Sequence, residues 1–214
     1  MGKLILGMTD DEIRSSGYAT HLPILDFLLD FLLPKKILEW GMGFYSTPLL
    51  IEKTKDMVFS IETVSMEWYK KVRDRYRNKS TFECVVELSK AGVLKEIPRI
   101  EEYERGWNIV FNDGDSFSRH VIAQMAQNWY DHHLQEAPVI ISHDTQEKQY
   151  FYNAVLLGLG WVWMDIMDYS VWTSVLTCRT ELLELLTIKF LKTKKYCNAE
   201  LKNKDFTHDH GRAL

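Results

Sequence analysis

One segment constrains the fold of this chain more than any other: an apolar run, a glycine turn and a helix start in immediate succession. The run Ile37–Trp40 is typical of a buried strand and leads into Gly41-Met42-Gly43. Two glycines at this position indicate a turn that needs positive φ or a close approach to another backbone. Ser46-Thr47-Pro48 then favours the first turn of a helix. This order predicts an α/β protein with a ligand-binding turn.

A second apolar run, Met57–Glu62, ends in a carboxylate nineteen residues after Gly43. A carboxylate at the end of the neighbouring parallel strand can accept hydrogen bonds from both hydroxyls of a ribose, so the two runs together predict a nucleoside site. A dinucleotide fingerprint would have a third glycine where Ser46 stands. The acidic Glu39 suits a ligand that carries an ammonium and a sulfonium, and it would repel phosphate.

The arrangement Glu39-x-Gly41-x-Gly43-x-x-Ser46 resembles motif I of the class I S-adenosylmethionine (SAM)-dependent methyltransferases, and Glu62 resembles their ribose-binding acidic position. The similarity covers roughly residues 20 to 180 and is closest in pattern to small-molecule O-methyltransferases. It implies SAM as the cofactor. The cofactor-binding residues that we expect are Glu39, Gly41, Gly43, Tyr45, Ser46, Glu62, Glu87 and Asp113.

Strand and helix patterns alternate along the rest of the chain, which predicts a parallel sheet. Two β-rich runs near residues 161–167 and 171–178 are separated by a short turn and indicate a closing hairpin. The predicted fold class is therefore α/β: a three-layer Rossmann-like sandwich around a mostly parallel seven-stranded sheet with an antiparallel last strand. We expect one domain over residues 1–214, with an N-terminal helical segment (1–35), a core (36–192) and a polar tail (193–214).

Charge and composition limit the classes of binding partner that we expect. The formal net charge is -4, and the basic clusters are expected to be solvated helix faces, so the sequence does not predict a nucleic-acid binder. The most apolar window, residues 22–33, is shorter than the roughly 20 residues that span a bilayer. It predicts an amphipathic helix that packs on the sheet or forms a subunit contact, which leaves homo-oligomerisation open. Three scattered cysteines and no export signal favour a cytoplasmic protein.

Carboxylates and a histidine follow the fourth and fifth predicted strands, where the site of a parallel sheet lies. Asp113 and Asp144 resemble two metal ligands of the catechol-type O-methyltransferases, which implies Mg²⁺. Those families have a further Asp or Asn directly after the second ligand, where this chain has Thr145. Without a metal, His143 or His120 is a candidate general base. The predicted catalytic residues are Asp113, His143 and Asp144, and the predicted metal ligands are Asp113 and Asp144.

Two functions from different classes follow. The first is a SAM-dependent methyltransferase acting on a small hydroxylated molecule of the sugar or natural-product type. The second is a non-catalytic protein of the same fold that binds a nucleoside or a partner chain, an alternative that the Thr145 departure favours. An aminopropyl transferase and an NAD enzyme are weaker candidates. His21, just ahead of the first long helix, is expected either to cap that helix or to reach the carboxylate end of the cofactor.

Overall fold

The computed structural model describes residues 5–16, 18–86, 106–145, 161–166, 171–192 and 199–202. The helices in these ranges are α1 (Asp10–Ser15), α2 (Leu22–Leu32), α3 (Ser46–Lys53), α4 (Met66–Tyr76), α5 (Ser116–His132) and α6 (Thr180–Lys192). The strands are β1 (Lys36–Trp40), β2 (Met57–Glu62), β3 (Phe82–Val86), β4 (Ile109–Asn112), β5 (Val139–His143), β6 (Val162–Ile166), β7 (Thr173–Thr177) and β8 (Ala199–Lys202).

The strands form one sheet in the order β3-β2-β1-β4-β5-β7-β6-β8. Strands β1 to β5 are parallel, and β7 is antiparallel to both β5 and β6. The chain order therefore reverses between β1 and β4, which is where an open parallel sheet leaves a crevice for a ligand. The predicted mostly parallel sheet with an antiparallel seventh strand is confirmed. Strand β8, antiparallel to β6, is an eighth strand that the sequence does not predict.

Helices cover both faces of the sheet, because successive residues of a strand point to opposite sides. On β1, Ile37 belongs to a core cluster with residues of α2 and α3, whereas Leu38 belongs to a second cluster with residues of α5. Strands buried on both sides carry near-continuous apolar runs, as β1, β4 and β5 do. The three-layer arrangement is thus confirmed.

Helix α2 packs against the sheet, which is one of the two roles predicted for it. Leu25, Leu28 and Leu29 are buried in the same cluster as strand residues. The aspartates of α2 point instead to α3, where Lys53 forms ion pairs with Asp26 at 3.0 Å and with Asp30. This fixes α2, and with it the residues that precede it, over the edge of the sheet that carries the glycine turn.

The closing hairpin is confirmed by the antiparallel pairing of β6 with β7, and the leucine-rich helix by α6. Several expectations fall outside the described residues: the short helix and loop at 89–105, the helix at 146–157, Glu87, and the tail histidines His208 and His210. Among the described helices, none is long and apolar enough to cross a membrane.

Candidate functional site

Glu39, the fourth residue of β1, stabilises the glycine turn through hydrogen bonds of its carboxylate. Glu39 is fully buried, and its carboxylate accepts hydrogen bonds from the hydroxyls of Ser46 (2.6 Å), Thr47 (2.8 Å) and Ser60. The Thr47 hydroxyl in turn accepts from the N–H of Gly43 at 2.9 Å. Glu39 therefore ties the start of α3, strand β2 and the turn together. Its predicted contact with the charged end of the cofactor stays a prediction.

Burial sets the protonation of this carboxyl group. Burial raises the pKa of Glu39 to about 7, against the effect of the three hydroxyl donors, which lower it. A folded-state pKa above the unfolded value of 4.5 means that the folded protein binds the proton more tightly. This contribution to stability is fully present below pH 4.5 and is lost as the pH rises through 7.

We therefore expect Glu39→Gln to gain stability relative to the wild type as the pH rises from 4.5 to 7, by roughly 3 kcal/mol at most. Glutamine keeps an oxygen that can accept the hydroxyl bonds and has no charge to desolvate. Urea unfolding of both proteins at several pH values measures the difference in free energy of unfolding. A difference that stays constant over this range contradicts the raised pKa.

Gly41 is required where the ends of three strands meet. Its φ is +80°, and a Cβ there would lie 2.6 Å from the carbonyl carbon and oxygen of Asp113 and 2.7 Å from the nitrogen of Gly114. The Gly41 N–H donates to Ile61 at the end of β2, and the Asp113 N–H donates to Trp40 at the end of β1. The close approach predicted for the turn is confirmed at Gly41. Gly43 has ordinary φ, and its Cβ would meet the Ser46 hydroxyl at 3.1 Å.

The outer side of the turn is aromatic. Phe44 and Trp68 lie edge to face with ring centroids 4.4 Å apart, and the Trp68 indole N–H donates to the carbonyl of Met42. Tyr45 is half-buried at the N-cap position of α3, and its side chain makes no capping hydrogen bond. A cavity of about 550 Å³ opens here, lined by Leu6, Met8, Phe44, Tyr45, Pro48, Arg75 and Tyr76.

Glu62 ends β2, the strand next to the turn, as predicted. It is 4 % exposed, and one of its oxygens accepts from the backbone N–H groups of Val64 (2.9 Å) and Ser65 (3.0 Å). Burial raises its pKa, and the two backbone donors act against that shift. These two bonds fix the carboxylate at the carboxyl edge of the sheet. A ribose contact would use its second oxygen.

A hydrogen-bonded chain of three side chains joins the ends of β4 and β5. The Nδ1 of His143 lies 3.0 Å from Asp113 Oδ1, and its Nε2 lies 2.8 Å from the hydroxyl of Thr20. A carboxylate only accepts, so Nδ1 carries the proton and Nε2 accepts from the Thr20 hydroxyl. The structure thus brings Asp113 and His143 together as predicted. It adds Thr20, which has no local signal in the sequence.

The charge of Asp113 is stabilised by its neighbours. Burial acts to raise the pKa of Asp113, but the hydrogen bond from His143 and the positive charge of Arg119 hold it below its ordinary value. Arg119 is 2 % exposed and donates to the carbonyl of His143 at 2.8 Å, which fixes the end of β5. Arg119 has no functional signal in the sequence, because a lone arginine on a helix usually indicates a solvated face.

Of the two roles expected for His21, its place at the start of α2 is confirmed: His21 is the N-cap residue, although its side chain makes no capping hydrogen bond. Its ring is 1 % exposed and lies 4.7 Å from the ring of His143, edge to face, and 5.2 Å from Phe111. Burial lowers the pKa of His21 to about 3, helped by His143 and opposed by Asp113, so the ring is neutral.

The remaining candidate residues differ in their burial. Asp144 has a φ of +58°, its side chain is 37 % exposed, and its Oδ1 lies 3.7 Å from His143 Nδ1. The Thr145 hydroxyl is buried and has no hydrogen-bond partner among the described residues. Asp115, rather than Asp113, caps α5 by accepting from Ser118 N–H at 3.0 Å. His120 is exposed on α5.

Several solved structures that are similar to this chain are methyltransferases. The chain is similar to an O-methyltransferase from Bacillus cereus in complex with SAH, with 14 % identity, a TM-score of 0.52 and coverage of 77 % of this chain and 83 % of that one. For the O-methyltransferase TomG from Streptomyces achromogenes in complex with SAM, identity is 14 %, the TM-score 0.51, and coverage 78 % and 83 %.

A third similar structure is a ribosomal protein L11 methylase from Lactobacillus delbrueckii subsp. bulgaricus, with 11 % identity, a TM-score of 0.51 and coverage of 76 % and 80 %. No protein-family model and no curated protein matches the chain. Two of these structures are named as O-methyltransferases and the third as a methylase of a ribosomal protein, so the fold alone does not select an acceptor. Sheet order, antiparallel β7 and these similarities together show that the chain has the Rossmann-like fold of the class I SAM-dependent methyltransferases.

Proposed function

We propose that this protein is a SAM-dependent methyltransferase that methylates a hydroxyl group of a small molecule of the sugar or natural-product type. The observation that carries the proposal is the Thr20–His143–Asp113 chain. It combines a hydroxyl, an imidazole and a carboxylate at the ends of β4 and β5, beside the glycine turn. Hydroxyl acceptors need a group that removes their proton, and this chain supplies one.

The cofactor would lie along the carboxyl edge of β1, β2 and β4. Gly41 lets the turn lie against the backbone of Asp113, and Gly43 would allow the cofactor to approach closely. The other residues proposed for the cofactor site are Tyr45 and Ser46 beside the turn, Glu39, Glu62, Asp113 and, outside the described residues, Glu87. In this arrangement Glu39 and Ser46 act mainly through the turn, because they bond to each other at 2.6 Å. Glu62 would accept hydrogen bonds from the ribose hydroxyls.

The reaction is an in-line displacement. Bound SAM would supply an electrophilic methyl group, and displacement by the acceptor oxygen would leave the carbon–sulfur electron pair on sulfur as an uncharged thioether. The acceptor proton passes to the Thr20 hydroxyl, whose own proton moves to His143 Nε2. The resulting imidazolium is stabilised by Asp113 at 3.0 Å and by the charge of Asp144 at 3.7 Å. Alignment of the acceptor with the methyl group supplies the rest.

The resemblance to O-methyltransferases predicts a Mg²⁺ ion bound by Asp113 and Asp144. Mg²⁺ prefers six oxygen ligands in near-octahedral geometry. His143 Nδ1 lies within 3.0 Å of one of these carboxylates and 3.7 Å of the other, so the donors around Asp113 include an imidazole nitrogen. Thr145 offers at most a neutral hydroxyl. This donor set does not fit Mg²⁺, and no step of the proposed reaction uses it.

Calorimetric titration with SAM, with and without Mg²⁺, tests the cofactor assignment. We expect SAM to bind, and Glu62→Gln to weaken binding about 10- to 100-fold, because an amide nitrogen cannot accept from a ribose hydroxyl. Glutamine keeps the oxygen that the Val64 and Ser65 N–H groups use, so stability should be retained. Glu67→Gln, an exposed change on α4, is the matched control.

The outcomes separate the candidate functions. Absence of SAM binding sinks the proposal, and unchanged affinity in Glu62→Gln sinks the ribose assignment. A panel of sugars, phenols and other hydroxylated molecules with methyl-labelled SAM then tests turnover. Binding without transfer to any member of the panel favours the non-catalytic alternative.

A further inference from the structure

We infer that His21, Asp113 and His143 form a binding site for a divalent transition-metal ion. The inference does not depend on methyl transfer, since it concerns what this cluster binds. Each residue comes from a different part of the fold: His21 from the start of α2, Asp113 from the end of β4 and His143 from the end of β5. Packing of α2 against α3 and the sheet holds the first of these over the other two.

The ligand atoms are already close together. One donor atom from each residue lies within 4.8 Å of the other two, and Asp113 Oδ1 is 3.0 Å from His143 Nδ1. Ligands of a tetrahedral ion with bonds of about 2.0–2.1 Å lie roughly 3.3 Å apart. Small side-chain rotations therefore suffice to close the set. Asp144, which the sequence placed in the metal site, does not belong to this group of mutually close atoms.

His21 independently points to a ligand. Its side chain is 1 % exposed, and neither ring nitrogen has a hydrogen-bond partner among the residues that the structure describes. Buried polar groups are nearly always satisfied, so an imidazole with both nitrogens unpartnered calls for an explanation. The ring lies edge to face with His143, 4.7 Å between centroids, and one of its nitrogens is within 4.8 Å of the ligand atoms of Asp113 and His143. A metal ion would satisfy one nitrogen.

The other nitrogen of His143 has the partner that a metal ligand needs. Ligating histidines commonly donate their second N–H to a fixed oxygen, which sets the ring orientation. Thr20 Oγ1 lies 2.8 Å from Nε2 and can accept as well as donate. When an ion replaces the Nδ1 proton, the Nε2 proton would donate to Thr20. The ligand and general-base states of His143 therefore exclude each other.

The types of ligand atom determine which metal ions suit the site. Two imidazole nitrogens and one carboxylate suit Zn²⁺, Co²⁺, Ni²⁺ or Fe²⁺, whereas Mg²⁺ prefers oxygen. Three protein ligands leave at least one coordination position for water or another ligand. Asp113 is the most exposed member, with 26 % of its side chain accessible, so an ion can enter from its side.

Titration of the chain of residues 1–214 with Co²⁺ tests the site, because the visible absorption of Co²⁺ reports its coordination by the protein whether or not methyl transfer occurs. We expect one Co²⁺ per chain at this site, displaced by Zn²⁺ and not by excess Mg²⁺. His21→Phe keeps the aromatic packing against Phe111 and removes the ligand. It should weaken Co²⁺ binding at least about tenfold, as should Asp113→Asn.

Other histidines are the matched controls. His132→Ala/His133→Ala removes a neighbouring pair at the end of α5, and His208→Ala/His210→Ala removes the histidines of the tail. Both double variants should keep the absorption band and the affinity. Unchanged affinity in His21→Phe, loss of the band in either control, or displacement by Mg²⁺ at equal concentration overturns the assignment. Circular dichroism of each variant confirms that the fold persists.

Discussion

Replacing Gly41 by alanine should destabilise the protein by roughly 3 kcal/mol or more and abolish SAM binding. The new Cβ would lie 2.6 Å from the carbonyl carbon and oxygen of Asp113, and 2.7 Å from the Gly114 nitrogen, so backbone atoms must move. The φ of +80° adds strain that any L side chain would meet. Denaturant unfolding measures the first effect, and calorimetry under conditions where the variant stays folded measures the second.

Variants of two other glycines separate the effect of backbone strain from the effect of the steric contact. Gly7 also has φ of +80°, but nothing lies within 4 Å of a Cβ there, so Gly7→Ala isolates the backbone strain, about 1 kcal/mol. Gly43 lacks the unusual φ, and its Cβ would meet only the Ser46 hydroxyl at 3.1 Å. Equal destabilisation by Gly41→Ala and Gly7→Ala would show that the contact with β4 is unimportant.

The turn at Gly41 could be recognised from the sequence, although the contact that requires the glycine could not. Periodicity and the two glycines predict a strand, a turn and a helix, and all three are present at β1, residues 41–45 and α3. These signals are local, since they depend on residues within a few positions of one another. What makes Gly41 necessary is the backbone of Asp113, which is distant in sequence, so the pattern indicated a close approach without naming its partner.

Glu39 shows the same limit. Its place at the end of β1 followed from the pattern, but its hydrogen bonds depend on the register that pairs it with Ser60 on β2. A single sequence does not fix which residue of β2 lies opposite. The carboxylate that was expected to face a cofactor is held among hydroxyls under the turn. Strand existence was predictable here, and strand register was not.

The Thr20–His143–Asp113 chain is the part of the site that the sequence predicts least. Asp113 and His143 were predicted because each ends a parallel strand, and such ends share one edge of the sheet. Thr20 and His21 reach the same place by a different route, through the packing of α2. Contacts between residues more than a hundred positions apart leave no periodic or spacing signal. They follow only when helix packing is known.

Removing the Thr20 hydroxyl should lower kcat about 100-fold or more while leaving the SAM dissociation constant unchanged. Thr20→Val keeps the branched shape of this fully buried side chain and deletes the only group that links an acceptor to His143 Nε2 in the proposed path. Thr20→Ser restores a hydroxyl and should restore most of the rate. Single-turnover transfer of labelled methyl to the acceptor found in the panel provides the measurement.

Nitrogen NMR of the His143 imidazole gives a readout that needs no acceptor. In the wild type, Nδ1 carries the proton because Asp113 at 3.0 Å can only accept it. Asp113→Asn removes that preference and should shift the ring toward the other tautomer, with a loss of kcat at least as large as that of Thr20→Val. Thr20→Val should leave the Nδ1 proton in place. Wild-type turnover by Thr20→Val would exclude the hydroxyl from the proton path, and a mixed tautomer in the wild type would exclude Asp113 from orienting the base.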